Sequence, residues 1–436
     1  MKKYIVLLLI PNLLLGQNEL SLIDAIRLGM WQNYEIQISK KKQKISTIQN
    51  NWANANALPI INISAKKEEV LSDQSNNPTA FIKEKLRLTS YNSNANLSWT
   101  LFNGFAIRAN KEKLNNLEKI SDNNASLTIE NTIQGIILQY YNCVLQKEKL
   151  ELLQKVVSLA KSRLQYQQKK YETGVSSKME LLQLKNAMLT DSSNIILQKL
   201  NYTNAIKNLN LTLGADLGEK WIFIDKMDTE IKIFFYEDLK ASALANNTNI
   251  KNQFYNIQLS KQDIKLAKAP FYPMISINSG ASFNESTYDI GNLAETIDNT
   301  GENINYFANF SVNLRVFDGG KLYNTLRQVK IQKEIHELQH EKIQKEILQQ
   351  LSLTNDKYNS LASTYSLNQE AFKIAETNYK LATEKNNIGV INSFILRDIE
   401  IAYINSAVKA QEAAYNLMES KVALLKITGG IIQNFK

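Results

Sequence analysis

The stretch LSWTLFNG at residues 97–104 recurs as VNLRVFDG at residues 312–319. Three other pairs of landmarks recur in the same order: LPIINI (58–63) with YPMISI (272–277), GVSS (174–177) with GVIN (389–392), and LG (213–214) with TG (428–429). The members of every pair are 214 or 215 residues apart. A constant spacing of this length marks an internal duplication, so we expect one structural unit to occur twice.

The duplication sets the boundaries of the chain. The predicted segments are a signal peptide at 1–16, a first copy at 17–214, a connecting segment at 215–235, a second copy at 236–429 and a C-terminal tail at 430–436. The leader has a basic tip, a short apolar run from Tyr4 to Leu15 and a small residue at Gly16, which is typical of secretion. The run is too short to span a membrane, which takes about 20 apolar residues. No later segment is long and apolar enough either, so any part inside a membrane must be built of strands.

Each copy is predicted to begin with a helix, over about 20–57 and 236–269, that ends at a proline-marked turn. Two strands follow, in which polar and apolar residues alternate and so form one wet face and one apolar face. In an outer-membrane barrel the polar face lines water. The residues that we expect to face the lumen are Asn94, Asn96, Ser98, Thr100, Ser276, Asn278, Asn309, Ser311, Asn313 and Arg315.

The connections inside the two strand pairs, about 68–90 and 284–305, read as long polar loops on the extracellular side. The alternation alone would also fit the edge of a soluble β-sandwich.

Each copy continues as a very long helix, predicted over 106–172 and 321–387, which at about 1.5 Å per residue reaches about 100 Å. A return helix follows the turn at Gly174 or Gly389, where glycine suits a left-handed helix cap. Apolar residues recur every seven positions along both long helices, a spacing that indicates coiled-coil packing. They are Leu138, Leu145, Leu152, Leu159 and Tyr166 in the first copy, and Leu353, Leu367, Ile374 and Leu381 in the second, with Ser360 as the exception.

The composition argues against catalysis and against metal or nucleic-acid binding. The net charge of +9 is spread along the chain, whereas a nucleic-acid face clusters its basic residues, so we expect no nucleic-acid partner. Two histidines and one cysteine leave little for histidine or thiol catalysis. His336 and His340 are spaced as a zinc clamp would be, but no third ligand is evident. We therefore expect no metal, no cofactor and no enzymatic activity.

Four strands cannot close a barrel, and open sheet edges are not tolerated in lipid. The smallest outer-membrane barrels have about eight strands and an interior filled by side chains. Two chains would make such a plugged barrel, and three would make a wider one of twelve strands. The sequence therefore predicts a homotrimer as the smallest assembly with a water path.

In their order and their doubled spacing, the strand starts, the two FNG and FDG segments and the two hairpin tips resemble the TolC-like outer membrane efflux protein family. The resemblance covers nearly the whole chain after the leader. It implies an α+β membrane protein, in which a long antiparallel α-helical coiled-coil barrel in the periplasm joins a twelve-stranded β-barrel, four strands from each chain. It also implies the cell outer membrane of a Gram-negative bacterium as the location.

The resemblance implies the exit duct of a tripartite efflux or type I secretion system. Such a duct is a passive conduit that a periplasmic adaptor and an inner-membrane RND-type pump or ABC exporter open. The sequence does not separate small-molecule efflux from protein secretion. A structural periplasmic coiled-coil protein with no channel is the alternative; it accounts for the long helices but not for the four alternating strands.

Two acidic residues carry over from the family to the hairpin tips. Asp398, nine residues after Gly389, matches the aspartate that forms an acidic ring in three copies of a family member. Glu180, six residues after Gly174, matches an acidic residue whose contacts hold the tip shut. The family's basic partner and its aromatic residue are replaced by Ile391 and Asn386. The resemblance therefore leaves open what closes the tip of this chain.

Overall fold

The computed structural model describes residues 18–227, 229–290 and 300–434. The predicted signal peptide, 1–16, lies outside them. The chain divides into two compact units. We call the first the helical unit; it comprises the chain up to Lys41, Asn123–Lys251 and the chain from Lys342. The second, the sheet unit, comprises Lys42–Asp122 and Asn252–Glu341.

The order of the elements repeats, as the duplication predicts. In chain order they are β1 (Asn18–Leu20), α1 (Leu22–Gln32), α2 (Tyr34–Gln49), β2 (Ile60–Asp73), β3 (Lys85–Asn103), α3 (Ala106–Glu172), α4 (Lys178–Leu213), β4 (Trp221–Phe223), α5 (Tyr236–Asn246), α6 (Thr248–Lys268), a 3-10 turn (Ala269–Phe271), β5 (Met274–Ile290), β6 (Thr300–Asn313), α7 (Lys321–Asn387), α8 (Ser393–Ile427) and α9 (Ile431–Asn434). The two long helices have the predicted bounds. Gly135 lies within α3 and does not interrupt it.

The opening helix of each copy differs from the prediction. Each is two helices, which are separated at Asn33 in the first copy and at Asn247 in the second. Both asparagines are buried, and both donate their side-chain amide to the carbonyl at the end of a return helix: Asn33 to Thr212 at 2.7 Å and Asn247 to Ile427 at 3.0 Å. Their side-chain oxygens accept from the next helix, which makes them helix caps. In each copy, the asparagine at the break therefore joins the opening helices to the end of the return helix.

The four strands of the sheet unit form one antiparallel sheet in the order β2-β3-β5-β6. Its register brings the predicted polar residues onto one face, because residues directly opposite each other in antiparallel strands share a face. Rows cross three strands as Thr100–Ser276–Ser311, Ser98–Asn278–Asn309 and Asn94–Ser282–Asn305. A bulge between Thr100 and Phe102 shifts the alternation by one residue, and Phe102 thereby joins the opposite face beside Ile275.

The strands are longer and β6 ends earlier than the sequence predicts. The β2–β3 loop is confined to residues 74–84, so most of the expected loop at 68–90 is strand. Likewise β5 runs on to Ile290 and β6 begins at Thr300, inside the expected loop at 284–305. Exposed ion pairs lie along the polar part of the first hairpin, among them Lys67 with Glu69 at 2.7 Å and, across the two strands, Arg87 with Glu69 at 3.7 Å. Arg315, which is predicted to face the lumen, lies two residues beyond the end of β6 at Asn313.

The other face of the sheet is apolar over part of its height only. Rows such as Trp99–Ile277–Phe310 and Ala95–Ala281–Tyr306 carry apolar or aromatic residues on this face. Farther from the helices, the row that contains Tyr91, Glu285 and Glu302 is charged. The apolar band runs from about Ile275 to Phe283 along β5, or about 27 Å at about 3.4 Å per residue. A strand tilt of about 40° would reduce this to about 21 Å, close to the apolar height of an outer-membrane barrel.

The helical unit holds two apolar cores, and the first also takes in Met418 and Val422 from the second copy. The first surrounds Ile136, Tyr140, Leu209 and Leu213, and the second surrounds Leu351, Tyr358, Leu417 and Leu424. Two three-residue strands that the sequence did not predict, β1 and β4, pair in parallel beside the first core.

The predicted seven-residue row of α7 does not form the seam inside the chain. Its members Leu353, Leu367, Ile374 and Leu381 are all exposed, whereas Leu351, Tyr358 and Ala362 are buried. In α3 the row changes along the helix: Leu145 is buried, and Leu159 and Tyr166 near the tip are exposed. None of the described helices is long and apolar enough to cross a membrane.

Gly104 and Gly319 end the two repeated stretches, LSWTLFNG and VNLRVFDG, just before the long helices α3 and α7. They allow a matched test of how closely the backbone packs between strand and helix. Gly104 and Gly319 both have a positive φ, +65° and +71°. A Cβ at Gly104 would lie 2.1 Å from the carbonyl oxygen of Ala269, whereas one at Gly319 would meet nothing within 4 Å. Gly319→Ala should cost about 1 kcal/mol for its left-handed backbone alone. Gly104→Ala should cost about 1–3 kcal/mol more because of the clash. The thermal midpoint of the helical circular dichroism signal in detergent measures both, and equal midpoints would contradict this close approach.

Candidate functional site

The tips of the two helical hairpins are built alike. At the first tip Gly174 takes φ +74° and donates to the Tyr171 carbonyl at 3.0 Å, while Val175 donates to Lys170 at 2.8 Å. At the second tip Gly389 takes φ +80°, and the same pair of bonds is made to Asn386 and Lys385. This is the Schellman arrangement, which uses a left-handed glycine to satisfy the last carbonyls of a helix. The prediction of tight turns at both glycines is confirmed.

Each return helix begins with a side-chain cap. The Ser177 hydroxyl accepts from the Glu180 amide at 3.2 Å, and the Asn392 side-chain oxygen accepts from the Ile395 amide at 3.0 Å. Such caps stabilise a helix start by about 1 kcal/mol each. Both tips are therefore locally rigid ends of their hairpins.

Glu180 contacts its own hairpin. Its carboxylate accepts from the Ser176 hydroxyl at 2.8 Å and from the Gln167 amide at 2.9 Å, and Gln167 also donates to Ser176. Within this chain, Glu180 therefore joins the two helices of the first hairpin across their tip.

The turn of the second tip is closed by Asn386. The Asn386 amide donates to the Ile391 carbonyl at 2.9 Å, which closes the turn from within. Asp398 lies exposed on α8, and no described basic group pairs with it. The structure thus separates the two predicted acidic residues: Glu180 is hydrogen-bonded within its hairpin, and Asp398 is exposed on α8.

A buried charge network joins the four long helices a few turns from the tips. Arg397 of α8 binds Asp191 of α4 through two parallel bonds at 2.7 and 2.8 Å. Its guanidinium also contacts Glu400 at 3.0 Å. Arg163 of α3 donates to the same Glu400 oxygen at 2.9 Å and to the Tyr379 hydroxyl of α7 at 2.6 Å. The Tyr379 hydroxyl donates to the other Glu400 oxygen at 3.2 Å.

The two carboxylates of the network are almost fully withdrawn from water, and the two arginine side chains are about a fifth exposed. The Glu400 side chain is 1% exposed and that of Asp191 is 5% exposed. Burial lowers the pKa of the Arg397 guanidinium, but the bonds from Asp191 and Glu400 outweigh burial and leave the pKa raised. Burial together with the charge of Glu400 raises the pKa of the Tyr379 hydroxyl. Two arginines and two carboxylates thus balance in charge, and removal of any one leaves an uncompensated buried ion.

Sequence reasoning missed this network. Each residue sits alone in a helical pattern, and ordinary exposed helices carry acids and bases at similar spacings. One signal was available, since Arg397 and Glu400 are three residues apart on the same return helix and can contact each other. Asp191 and Arg163 come from other helices, and only the packing shows that they converge.

The described residues contain no group of three or more His, Cys, Asp or Glu side chains arranged to hold a metal ion. His336, one of the two histidines spaced four residues apart, contacts Gln332 and Gln339 through its ring nitrogens.

Residues 32–215 and 239–430 match the protein family described as outer membrane efflux protein. The chain belongs to the outer membrane efflux protein family. Family members are conduits in the outer membrane of Gram-negative bacteria rather than enzymes, which confirms the predicted class and location.

Two curated relatives from Pseudomonas putida are the probable efflux pump outer membrane protein TtgC and the antibiotic efflux pump outer membrane protein ArpC. Each is 20% identical over 267 residues, which are 58% of this chain and 52% of the relative. The match therefore spans about half the length of these curated family members.

Solved structures agree over most of the chain. The CmeC outer membrane channel of Campylobacter jejuni superposes with a TM-score of 0.76 at 18% identity, over 94% of this chain and 85% of that one. The MtrE outer membrane channel of Neisseria gonorrhoeae, solved in an open state, gives a TM-score of 0.71 at 16% identity, over 94% and 89%. The predicted TolC-like fold is confirmed at this level.

Two acids on α8, three turns or less from the tip, give a sharp comparison of buried and exposed charge. Glu400→Gln leaves Arg163 and Arg397 partly uncompensated and should lower stability by about 3–5 kcal/mol. Asp398→Asn removes the same charge from an exposed site and should change stability by about 0.5 kcal/mol or less. Guanidinium-induced unfolding followed by circular dichroism measures both. Similar midpoints for the two variants would show that the network contributes little.

Proposed function

We propose that three copies of this chain form the exit duct of a tripartite efflux or type I secretion system in the outer membrane. The observation that carries the proposal is the four-stranded sheet with one polar and one apolar face. Its outer strands, β2 and β6, have no further strand partner among the described residues. The alternative function, a structural coiled-coil protein without a channel, does not account for a sheet of this kind.

Closure of the sheet requires copies of the chain. When β6 of one copy pairs with β2 of the next, three copies give twelve strands and no free edge. The polar rows that contain Ser98, Asn278 and Asn309 then line a water-filled lumen, and the apolar rows meet lipid. Pairing of this kind satisfies the backbone groups that would otherwise face hydrocarbon, each at a cost of several kcal/mol.

The helices also present apolar rows to a neighbouring copy. In α7 the exposed row of Leu353, Leu367, Ile374 and Leu381 continues at the tip with Ile388, which is 77% exposed. In α4 a second exposed row contains Leu182, Leu189 and Ile196 at the same seven-residue spacing. Rows of this spacing pack best against a partner helix. In the trimer they would contact adjacent copies and extend the duct as a helical tube.

The buried network of Arg163, Asp191, Tyr379, Arg397 and Glu400 ties the two hairpins of one copy together near their tips. We infer that this network holds the tip closed. It would take the place of the family's closing contacts, whose positions are occupied by Ile391 and Asn386 in this chain. A periplasmic adaptor with an inner-membrane RND-type pump or ABC exporter is the partner that would separate the hairpins. The chain holds no group that could supply this energy itself, because it has no phosphate-binding glycine loop.

Single-channel recording in a planar lipid bilayer tests the duct and the role of Asp398. The wild-type trimer should conduct in discrete steps, and cobalt hexammine on the side of the tips should block it, since three Asp398 carboxylates in one ring attract a multivalent cation. Asp398→Ala should weaken the block by about ten-fold or more. Asp238→Ala, at an exposed acid of α5, serves as the control and should leave the block unchanged.

Two outcomes contradict the proposal at different levels. A protein that inserts but never conducts would rule out the duct. Conduction with an equal block in Asp398→Ala and wild type would retain the duct and rule out the acidic ring.

A further inference from the structure

A groove in the sheet unit collects basic side chains beside the end of the apolar band. It lies where the segment after α2, the first turns of α3 and the last turns of α6 meet, and Trp52, Arg108, Lys111, Glu112, Gln262 and Lys265 line it. The three bases outnumber the one acid. Arg108 and Lys265 are exposed and form no ion pair with the described residues. The groove therefore has two positive charges that are available to bind an anionic group.

Contacts with Asn50 and Trp52 hold the Lys111 side chain in place. Its ammonium donates to the Asn50 carbonyl at 3.3 Å and also to the Asn50 side-chain oxygen, and it lies 6.0 Å from the centre of the Trp52 ring. The Asn50 amide in turn donates to the Glu118 carboxylate. The position of this charge is therefore fixed by the backbone and by a second layer of contacts.

An unpaired amide oxygen on Gln262 supports the presence of a ligand in the groove. Its side chain is 8% exposed, and its amide oxygen, which is buried, has no hydrogen-bond partner among the described residues. A buried acceptor that lacks a donor costs about 1–3 kcal/mol. A ligand that fills the groove and donates a hydrogen bond to this oxygen would remove that cost.

The level of the groove fits the membrane surface. Strand β3 ends at Asn103, and Arg108 and Lys111 lie in the first two turns of the helix that follows. Aromatic rings surround this corner: Phe105 contacts Phe102 and Tyr272 edge to face, at 5.2 and 5.7 Å between ring centres. The Trp99 indole donates to the Ala57 carbonyl at 2.9 Å. Aromatic side chains gather at the headgroup level of a bilayer, where one end of the ring is dry and the other is wet.

We propose that this groove binds the headgroup of a zwitterionic phospholipid that carries a primary amine, a phosphoethanolamine lipid of the periplasmic leaflet. Its phosphate is complementary to Arg108, Lys265 and Lys111. Its ammonium donates to the unpaired Gln262 oxygen and is attracted by Glu112 and by the face of Trp52. The proposal rests on the placement of the sheet in the outer membrane.

The groove combines α3 of the first copy with α6 of the second, where Gln262 and Lys265 lie. The first-copy side chains of the groove have no counterpart in the second copy, because the positions equivalent to Trp52, Arg108 and Lys111 are Leu266, Tyr323 and Leu326. Each chain therefore forms one groove of this composition. A trimer should accordingly hold three such sites and not six.

Native mass spectrometry of the full-length trimer, titrated with short-chain phospholipids in detergent, tests the proposal. Dihexanoyl phosphatidylethanolamine should fill three sites and should bind more tightly than the phosphatidylcholine analogue, whose quaternary amine cannot donate a hydrogen bond. Arg108→Gln combined with Lys265→Gln should weaken phosphatidylethanolamine binding by about ten-fold or more, since two charge-assisted contacts are lost. Lys85→Gln combined with Arg87→Gln removes the same charge at the far end of the sheet and should leave binding unchanged.

Gln262→Leu supplies a sharper readout. It should abolish the preference for phosphatidylethanolamine over phosphatidylcholine while phosphatidylglycerol binding stays as in wild type. Circular dichroism and trimer mass confirm that each variant folds.

Three results would overturn the lipid site: equal binding by all variants, no preference between the two amine headgroups, or displacement of the lipid by inorganic phosphate at equal concentration, which would mark a site for free anions. Bilayer conductance recorded on the same samples separates this failure from failure of the duct. A trimer that conducts but shows any of these results loses only the lipid site.

Discussion

Backbone hydrogen bonding at the edges of the sheet governs the rest of the structure. In the described chain β2 and β6 each leave a row of N–H and C=O groups without a partner strand. Hydrocarbon offers no hydrogen bonds, so such rows must be paired before the sheet can rest in lipid. The described residues of one chain include no further strand that could pair with them. In the duct that we propose, assembly is therefore a condition of membrane insertion, and the polar rows through Ser98 and Thr100 line a lumen only in the assembled wall.

The helices show a related division. The intrachain seam at Leu351 and Tyr358 is buried, while the row at Leu353 and Leu367 stays exposed two residues away. One helix thus carries two apolar rows: one packs within its own chain, and the other would contact a neighbouring copy in the trimer that we propose. The buried network around Glu400 works in the opposite sense, because it binds the two hairpins of one chain to each other. The duct that we propose depends on the balance between these contacts.

Duplication, long helices, tight turns and the polar face could be predicted because each is a local pattern with a fixed period or spacing. The two FNG and FDG segments at one spacing were enough to order the elements. The strand ends could not be predicted, since charged residues such as Glu68 and Glu69, which are typical of loops, continue β2 in ladder pairing with Ser90 and Thr89. The charge network could not be predicted either, because Arg163, Asp191 and Arg397 meet only through packing. The break at Asn33 depends on one buried side chain and leaves no periodic signal.

The mass of the assembly that is extracted from the outer membrane tests the central claim most directly. The full-length chain, expressed in a Gram-negative host, should fractionate with outer membranes, require detergent for extraction and give a native mass of three protomers. Engineered cysteines in β2 and β6 should then cross-link into covalent dimers and trimers and no larger species, because a closed ring of three has no free edge. A mature chain that is monomeric and soluble without detergent would contradict the account.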